Sequence, residues 1–236
     1  PRHGWDIQKD WIIQTNGVVQ TLYASVRAFT QPGDNVLLLT PVYYPFYRAV
    51  NLNGRKVVES PIRLVEGRYE VDFDDFEEKA KQCKMFLLCS PHNPMGRVWS
   101  EEELCRMGDI CLKHNVLVVS DEIHFDIIMP GHKHVSYPTL GEKYANNCVM
   151  CCAASKTFSL AGLCVANAII PNPELRDKLN NEVNISGCYT YSIFGLRALE
   201  AGYMKCAEWV DQLNEHIWGN YLYFKEFMAK HFPEVW

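Results

Sequence analysis

The sequence predicts an α/β fold with a mostly parallel sheet that is covered by helices on both faces. Short apolar segments of strand length recur along the 236-residue chain, and segments with helical spacing of apolar residues lie between them. The strand-like segments, such as Val36–Leu39 and Val116–Val119, are apolar on both faces. This pattern is typical of strands that are buried between two layers of helices.

The predicted elements follow one another without a repeat or a linker-like stretch. Apolar spacing and turn residues predict helices over 17–29, 43–52, 74–82, 100–114, 173–183, 191–203 and 208–231. Strands are predicted over 35–40, 55–61, 84–89, 116–120, 148–153 and 165–170. Ser100 and Glu103 have the spacing of a capping box, which predicts where the fourth helix begins.

The composition is that of a globular protein, with 48% hydrophobic and 22% charged residues, and it excludes a disordered chain. A net charge of -5 argues against a nucleic-acid partner. No apolar run reaches the length of a membrane span, and the first residues do not resemble a signal peptide. We therefore expect a cytoplasmic protein without a membrane partner.

The ten cysteines and the paired histidines are candidates for metal binding. Cys148 and Cys151 have the spacing of a zinc or redox pair, but no second pair completes a tetrahedral site. Most cysteines lie in apolar segments, where a free thiol packs as a small hydrophobic group. His132 and His134 lack matching ligands in the sequence and are expected in a surface loop. We predict no metal site.

Polar and aromatic residues follow four of the predicted strands at their carboxyl ends. They are Tyr43 after strand 35–40, Asn93 after 84–89, Asp121 and His124 after 116–120, and Ser155 and Lys156 after 148–153. In parallel sheets these ends meet at one edge, where ligands bind. A surface lysine is usually a solvated charge, and a strand-end carboxylate often caps a helix. When a lysine and a carboxylate lie together at one edge of the sheet, as predicted for Lys156 and Asp121, they suggest a Schiff-base lysine.

These segments resemble the class I and II aminotransferases, a family of fold-type I pyridoxal-phosphate (PLP) enzymes. The resemblance lies in Ser155–Phe158 with Ala161-Gly162, in Ser120–His124 and in Ser90–Gly96. Within the family, Arg2–Asp6, Gly96–Trp99 and Asp121–His124 are similar to the MalY/PatB branch of cystathionine β-lyases, which are C–S lyases. The resemblance covers essentially the whole chain. It implies a mixed seven-stranded sheet, the large domain of the fold-type I transferase fold.

The resemblance implies a role for each residue at the edge of the sheet. Lys156, the one catalytic residue assigned, would bind PLP as a Schiff base and later remove the substrate Cα proton. Asp121 would pair with the pyridine nitrogen and favour its protonated form. Asn93 would donate to the phenolic oxygen, and His124 takes the place of a tyrosine found in many relatives. Tyr43 would stack on the ring.

The phosphate site is implied at the beginning of the first helix. There the N–H groups of Val18 and Val19, after Gly17, would bind phosphate together with the Ser155 hydroxyl. The sequence departs from the family at two points. Ala153 stands where a phosphate-binding serine is common, and no arginine occurs in the stretch 164–167. Phosphate binding is then expected to depend on the helix start, on Ser155 or on a second subunit.

Relatives carry an N-terminal segment and a small C-terminal domain that supplies an arginine for the substrate carboxylate. The chain begins without Met and stops at Trp236, so we expect residues 1–236 to be a PLP-binding large domain without those parts. Residues 208–236 would lead towards the small domain. A stripe of apolar residues in this segment is expected to pack in the core: Trp209, Leu213, Ile217, Tyr221, Phe224 and Met228.

Several assignments stay open. The favoured activity is a PLP-dependent C–S β-lyase that converts cystathionine or cysteine-type amino acids to pyruvate, ammonia and a thiol. An aminotransferase would use the same residues, and a regulatory module could keep the fold with its cofactor. The family implies a homodimer. The aromatic cluster of Tyr189, Tyr191 and Phe194 either faces the site or packs in the core, and His92 is expected at the rim.

Overall fold

A computed structural model of the chain describes residues 2–234. Its strands are β1 (Ile12–Thr15), β2 (Asn35–Thr40), β3 (Lys56–Pro61), β4 (Arg63–Val65), β5 (Arg68–Glu70), β6 (Met85–Cys89), β7 (Leu117–Asp121), β8 (Cys148–Cys152) and β9 (Ala166–Ile169). The helices are α1 (Val18–Phe29), α2 (Pro45–Asn51), α3 (Phe73–Ala80), α4 (Glu101–Lys113), α5 (Glu142–Ala145), α6 (Ala154–Thr157), α7 (Pro173–Ile185), α8 (Ile193–Lys205) and α9 (Ala207–His231).

Seven of these strands form one mixed sheet in the order β1-β9-β8-β7-β6-β2-β3, while β4 and β5 form a separate hairpin. Strands β3, β2, β6, β7 and β8 are parallel neighbours. β9 is antiparallel to β8, and β1 is antiparallel to β9. Two reversals return β1 to the direction of β8. The carboxyl ends of β1, β8, β7, β6 and β2 therefore lie at one edge of the sheet.

The sheet is buried on both faces. Val118 and Val119 of β7 are both fully buried, and they belong to two different hydrophobic clusters. One cluster joins the sheet to α1, α2 and α7, and the other joins it to α3, α4 and the turn around Tyr137. Successive side chains of a strand point to opposite faces, so an unbroken apolar segment fills both layers.

The predicted mixed seven-stranded sheet is confirmed. The predicted strands occur within about one residue of their expected bounds, and the capping box of Ser100 and Glu103 begins α4. The sequence pattern does not predict β1, whose four residues alternate between half-buried and buried positions. It also misses the short β4–β5 hairpin. Among residues 2–234, no helix has both the length and the apolar character needed to cross a membrane.

The expectation that the apolar stripe of α9 packs in the core is wrong. Val210 is the buried residue of this helix, while Trp209, Tyr221 and Phe224 are exposed. Helical spacing indicates an apolar face but not a partner for it. α9 ends at His231, and residues 235–236 of the predicted segment 208–236 lie outside the described residues.

The aromatic cluster fits neither of its two alternatives. Tyr189 and Phe194 are exposed and Tyr191 is half-buried, so the cluster is not packed in the core, and other residues line the cavity at the carboxyl edge of the sheet. Cys148 and Cys151 are free thiols buried in β8.

Two helical glycines provide a test of core packing. A Cβ atom at Gly108 of α4 would lie 2.6 Å from Tyr144 Cδ1 and 2.7 Å from the Tyr137 hydroxyl. Gly108→Ala is therefore expected to lower the free energy of unfolding by about 1–3 kcal/mol through overpacking. Gly219 of α9 has open space around it, and Gly219→Ala should raise the free energy of unfolding by about 0.5–1 kcal/mol. Urea unfolding measures both values, and effects of the same sign would contradict the packing described here.

Candidate active site

A cavity of about 210 Å³ lies at the carboxyl edge of the sheet. Its lining includes every site residue predicted from the sequence, namely Gly17, Val18, Val19, Tyr43, Asn93, Asp121, His124, Ser155 and Lys156. These residues follow β1, β2, β6, β7 and β8, whose ends share that edge. Strand direction therefore places residues that are far apart in sequence around a single space.

The loops that follow β2 and β6 are joined next to the cavity. The Tyr43 N–H donates to the Asn93 carbonyl oxygen at 3.0 Å. The His92 Nε2 atom lies 2.9 Å from the Pro41 carbonyl oxygen, and its imidazole is buried. His92 borders a neighbouring cavity, and Asn93 and His124 line both that cavity and this one. These two hydrogen bonds join the loop that carries Tyr43 to the loop that carries Asn93.

Asp121 is the last residue of β7, and it is 5% exposed. Its carboxylate accepts a hydrogen bond from the Ile123 N–H at 3.1 Å, and within the described part of the chain it forms no salt bridge. Burial raises the pKa of Asp121 to about 7, with a smaller increase from the Glu122 charge. The Ile123 hydrogen bond and the Lys156 charge act in the opposite direction. The cavity thus contains a buried carboxyl group that lacks a strong cationic partner.

Lys156 lies on α6, a single helical turn that directly follows β8. Its side chain is exposed and lines the cavity, and it enters no ion pair in the range 2–234. Burial lowers the pKa of His124, and the Lys156 charge lowers it further. A neutral imidazole is therefore favoured beside the lysine.

The first turn of α1 lies at the cavity, and no side chain caps its backbone N–H groups. Gly17 is the N-cap residue, at φ 154°, and no side chain caps the helix. Val18, Val19 and the Ser155 side chain line the same cavity. Uncapped N–H groups and the helix dipole make such a helix start suitable for an anion.

The two departures from the family pattern are visible in the structure. Ala153 is buried and is the N-cap residue of α6, where it offers no side-chain hydrogen bond. Cys164 lines the cavity in a left-handed backbone conformation at φ 52°. Among the described residues that line the cavity, Lys156 is the one lysine or arginine, so apart from Lys156 an anion there depends on backbone groups and on Ser155.

Sequence reasoning missed several residues around the cavity, and one assignment was wrong. The lining also contains Asn16, Cys89, Ile123, Ala161, Cys164 and Val165. Asn16 directly precedes Gly17, and Cys164 lies two residues after the Ala161-Gly162 motif. Their closeness to predicted site residues is the sequence signal that could have identified them. His134 does not belong to a solvated surface loop. It is buried, and its Nε2 atom lies 2.9 Å from the Glu122 carboxylate, a partner remote in sequence.

The chain belongs to the aminotransferase class I and II family, whose model matches residues 2–234. Among its relatives, cystathionine β-lyase PatB of Bacillus subtilis (strain 168) is 41% identical over 99% of this chain and 61% of that protein. Protein MalY of Escherichia coli (strain K12) is 30% identical over 99% of this chain and 60% of that protein. The predicted resemblance to this family and to its cystathionine β-lyase branch is confirmed.

A solved structure gives the same result. The crystal structure of cystalysin from Treponema denticola, which contains a pyridoxal 5'-phosphate cofactor, matches with a TM-score of 0.97 and 41% identity. That match covers 99% of this chain and 60% of the cystalysin chain. The chain spans about 60% of the length of these relatives.

The buried carboxyl group predicts a pH dependence of stability for the chain without ligand. The folded pKa of Asp121, about 7, lies above the ordinary value of 3.8 for this carboxyl group. Its contribution to stability is therefore fully present below pH 3.8 and is lost as the pH rises towards 7. Asparagine does not titrate, so Asp121→Asn should gain stability relative to the parent by up to about 1.4 kcal/mol per pH unit in this range.

Urea unfolding between about pH 5 and pH 8 measures this difference. Asp109→Asn is the control, because the Lys143 hydrogen bond lowers the pKa of the exposed Asp109 carboxyl. Asp109 is ionised in both the folded and the unfolded chain throughout this range, so the difference between Asp109→Asn and the parent should not change with pH. A constant difference between Asp121→Asn and the parent over this range would contradict the description of Asp121.

Proposed function

We propose that the chain forms the PLP-binding large domain of a carbon–sulfur β-lyase. The enzyme would cleave cystathionine or other cysteine-type amino acids to pyruvate, ammonia and a thiol. The observation that carries this proposal is the common cavity of the exposed Lys156 amine and the buried Asp121 carboxyl, at the ends of adjacent strands. Similarity to cystathionine β-lyases supports the choice of a lyase.

The cavity fits PLP in the chemistry of its donors and acceptors. The uncapped N–H groups of Val18 and Val19 would bind the phosphate, with the Ser155 hydroxyl beside them. Asp121 would accept a hydrogen bond from the pyridine nitrogen, whose positive charge offsets the cost of burying the carboxylate. Lys156 Nζ would bind the cofactor covalently.

Three further residues would orient the cofactor ring. Tyr43 would stack on its face, because a flat aromatic wall fits a flat heterocycle. Asn93 would donate a hydrogen bond to the phenolic oxygen from the loop that its carbonyl joins to Tyr43. The lowered pKa of His124 would keep its imidazole neutral. Asn93 and Lys156 would then stabilise the negative charge on the phenolic oxygen of the cofactor.

Bound PLP supplies an electron sink for the negative charge that develops at the substrate Cα. Lys156 Nζ would take the Cα proton as the general base of this cavity. Asp121 would keep the proton of the ring nitrogen in place by its charge. Ile123, Ala161 and Val165 present apolar surface to the same cavity.

The remaining parts of the proposal concern the larger protein. Residues 1–236 would be its large domain, and residues 208–236 would lead to a smaller domain that holds the substrate carboxylate. The protein would act as a homodimer in the cytoplasm on a small amino-acid substrate.

Turnover of L-cystathionine without a keto acid tests the lyase proposal. The protein in its natural length, loaded with PLP, is expected to release pyruvate and thiol continuously. An aminotransferase would use the same residues up to the loss of the Cα proton, but it needs a keto acid for each cycle. A requirement for added 2-oxoglutarate would contradict the lyase and support the aminotransferase.

Replacing the lysine tests the site assignment. Lys156→Ala is expected to remove the visible absorption of the covalently bound cofactor and to lower kcat/KM by at least about 10²- to 10⁴-fold. Lys143→Ala is the matched control, because Lys143 is exposed and pairs with Asp109. It should keep both the absorption and the activity. An unchanged absorption in Lys156→Ala would contradict the assignment.

A further inference from the structure

The helical turn that carries Lys156 depends on tertiary contacts for its position. α6 has four residues, and Phe158 follows it as the C-cap, with its N–H bonded to the Ala154 carbonyl oxygen. One turn of helix is not stable by itself, because nucleation orders several residues for one hydrogen bond. The position of the Lys156 backbone therefore depends on the tertiary contacts of the residues next to it.

Thr157, the residue after Lys156, is fully buried and connects this turn to the loop that follows β7. Its hydroxyl donates to Asp126 Oδ2 at 2.8 Å. Asp126 is itself buried, and it lies two residues after His124. This side-chain hydrogen bond joins the segment that carries Lys156 to the segment that carries Asp121 and His124, in addition to the backbone hydrogen bond from the Glu122 N–H to the Cys151 carbonyl oxygen.

Asp126 is held from other directions. Its Oδ1 atom lies 2.8 Å from His3 Nε2 and 3.6 Å from Arg2 Nε. The His3 ring stacks on Phe125 with a centroid distance of 4.2 Å. Asn214 Nδ2 of α9 donates to the Asp126 carbonyl oxygen at 2.9 Å. Arg2 and His3 therefore hold the carboxylate that receives the Thr157 hydroxyl, and α9 holds the backbone of the same residue.

We propose that Thr157 and Asp126 are positioning residues, whose buried hydrogen bond sets where the Lys156 amine lies relative to Asp121 and His124. This inference rests on the proposed function, because it concerns Lys156 as the cofactor-binding residue. The Lys156 stem is long and exposed, so its orientation depends on a fixed backbone. A shift of about 1 Å at a reacting group can cost about 10²-fold in rate.

The turn has a second support that keeps it folded when the hydroxyl is removed. Phe158 packs edge-on against Tyr203, at a centroid distance of 5.5 Å, and also against Trp209. Loss of the Thr157 hydroxyl should therefore move the turn rather than unfold it. This separates a positioning role from a role in stability alone.

Thr157→Val removes the hydroxyl while keeping the branched shape, and Thr157→Ser keeps the hydroxyl. In the PLP-loaded protein of natural length, we expect Thr157→Val to lower kcat about 10- to 100-fold with KM within about threefold. The visible circular dichroism of bound PLP, which reports the orientation of the cofactor, should change as well. Thr157→Ser should restore most of both properties.

Thr30→Val is the matched control. Thr30 is buried at the C-terminal end of α1, and its hydroxyl donates to the Val26 carbonyl oxygen and accepts from Arg55 Nε. This variant loses both hydrogen bonds of a buried hydroxyl that is remote from the cavity. It should lose stability to a similar extent as Thr157→Val but keep kcat and the circular dichroism of the parent.

The outcomes separate this inference from the proposed function. Parental kcat and circular dichroism in Thr157→Val, or an equal defect in Thr157→Ser, would overturn the positioning role. Thr157→Ala serves the same test if the valine variant does not fold. If the unsubstituted protein shows no visible PLP band, or if Lys156→Ala retains it, the proposed function fails and this inference fails with it.

Discussion

The arrangement of the cavity depends on the direction of the strands, and in particular on β9. Because β9 runs against both of its neighbours, β1 returns to the direction of β8, β7, β6 and β2. The start of α1 therefore reaches the same edge as the turn after β8. If β1 ran the other way, the uncapped N–H groups after Gly17 and the Lys156 amine would lie at opposite edges of the sheet.

The electrostatics of the cavity follow from the burial that this arrangement produces. β7 is covered on both faces, so its last residue, Asp121, ends in a region of low polarity. One lysine charge lowers the pKa of Asp121 and of His124 at the same time. Lys156 therefore favours the ionised form of the carboxyl and the neutral form of the imidazole. The same charge thus favours an ionised carboxylate and a neutral imidazole in one cavity of about 210 Å³.

The sheet and most of the cavity lining could be predicted from the sequence because each depends on a short local pattern of residues. The apolar segment 116–120 predicts a strand buried on both faces, and Asp121 directly after it predicts a polar group at the edge. β1 was missed because four residues that alternate in burial give little signal. The burial of His134 was not predicted, because a loop between glycine and proline is typical of a protein surface. Its partner Glu122 lies in a different segment, directly after β7, and the local pattern does not indicate that contact. The contact between Asp126 and Thr157 also joins distant positions and leaves no periodic trace.

The unbalanced carboxyl group of Asp121 has a consequence for the life of the protein in the cell. A chain with such a group is less stable when its cavity is empty than when a cation-bearing ligand fills it. If PLP is that ligand, its free concentration shifts the folding equilibrium by mass action. Quality-control proteases act on the unfolded fraction, so the abundance of the protein would rise with the supply of vitamin B6. The concentration of PLP would then affect both the amount of the protein and the fraction of it that carries the cofactor.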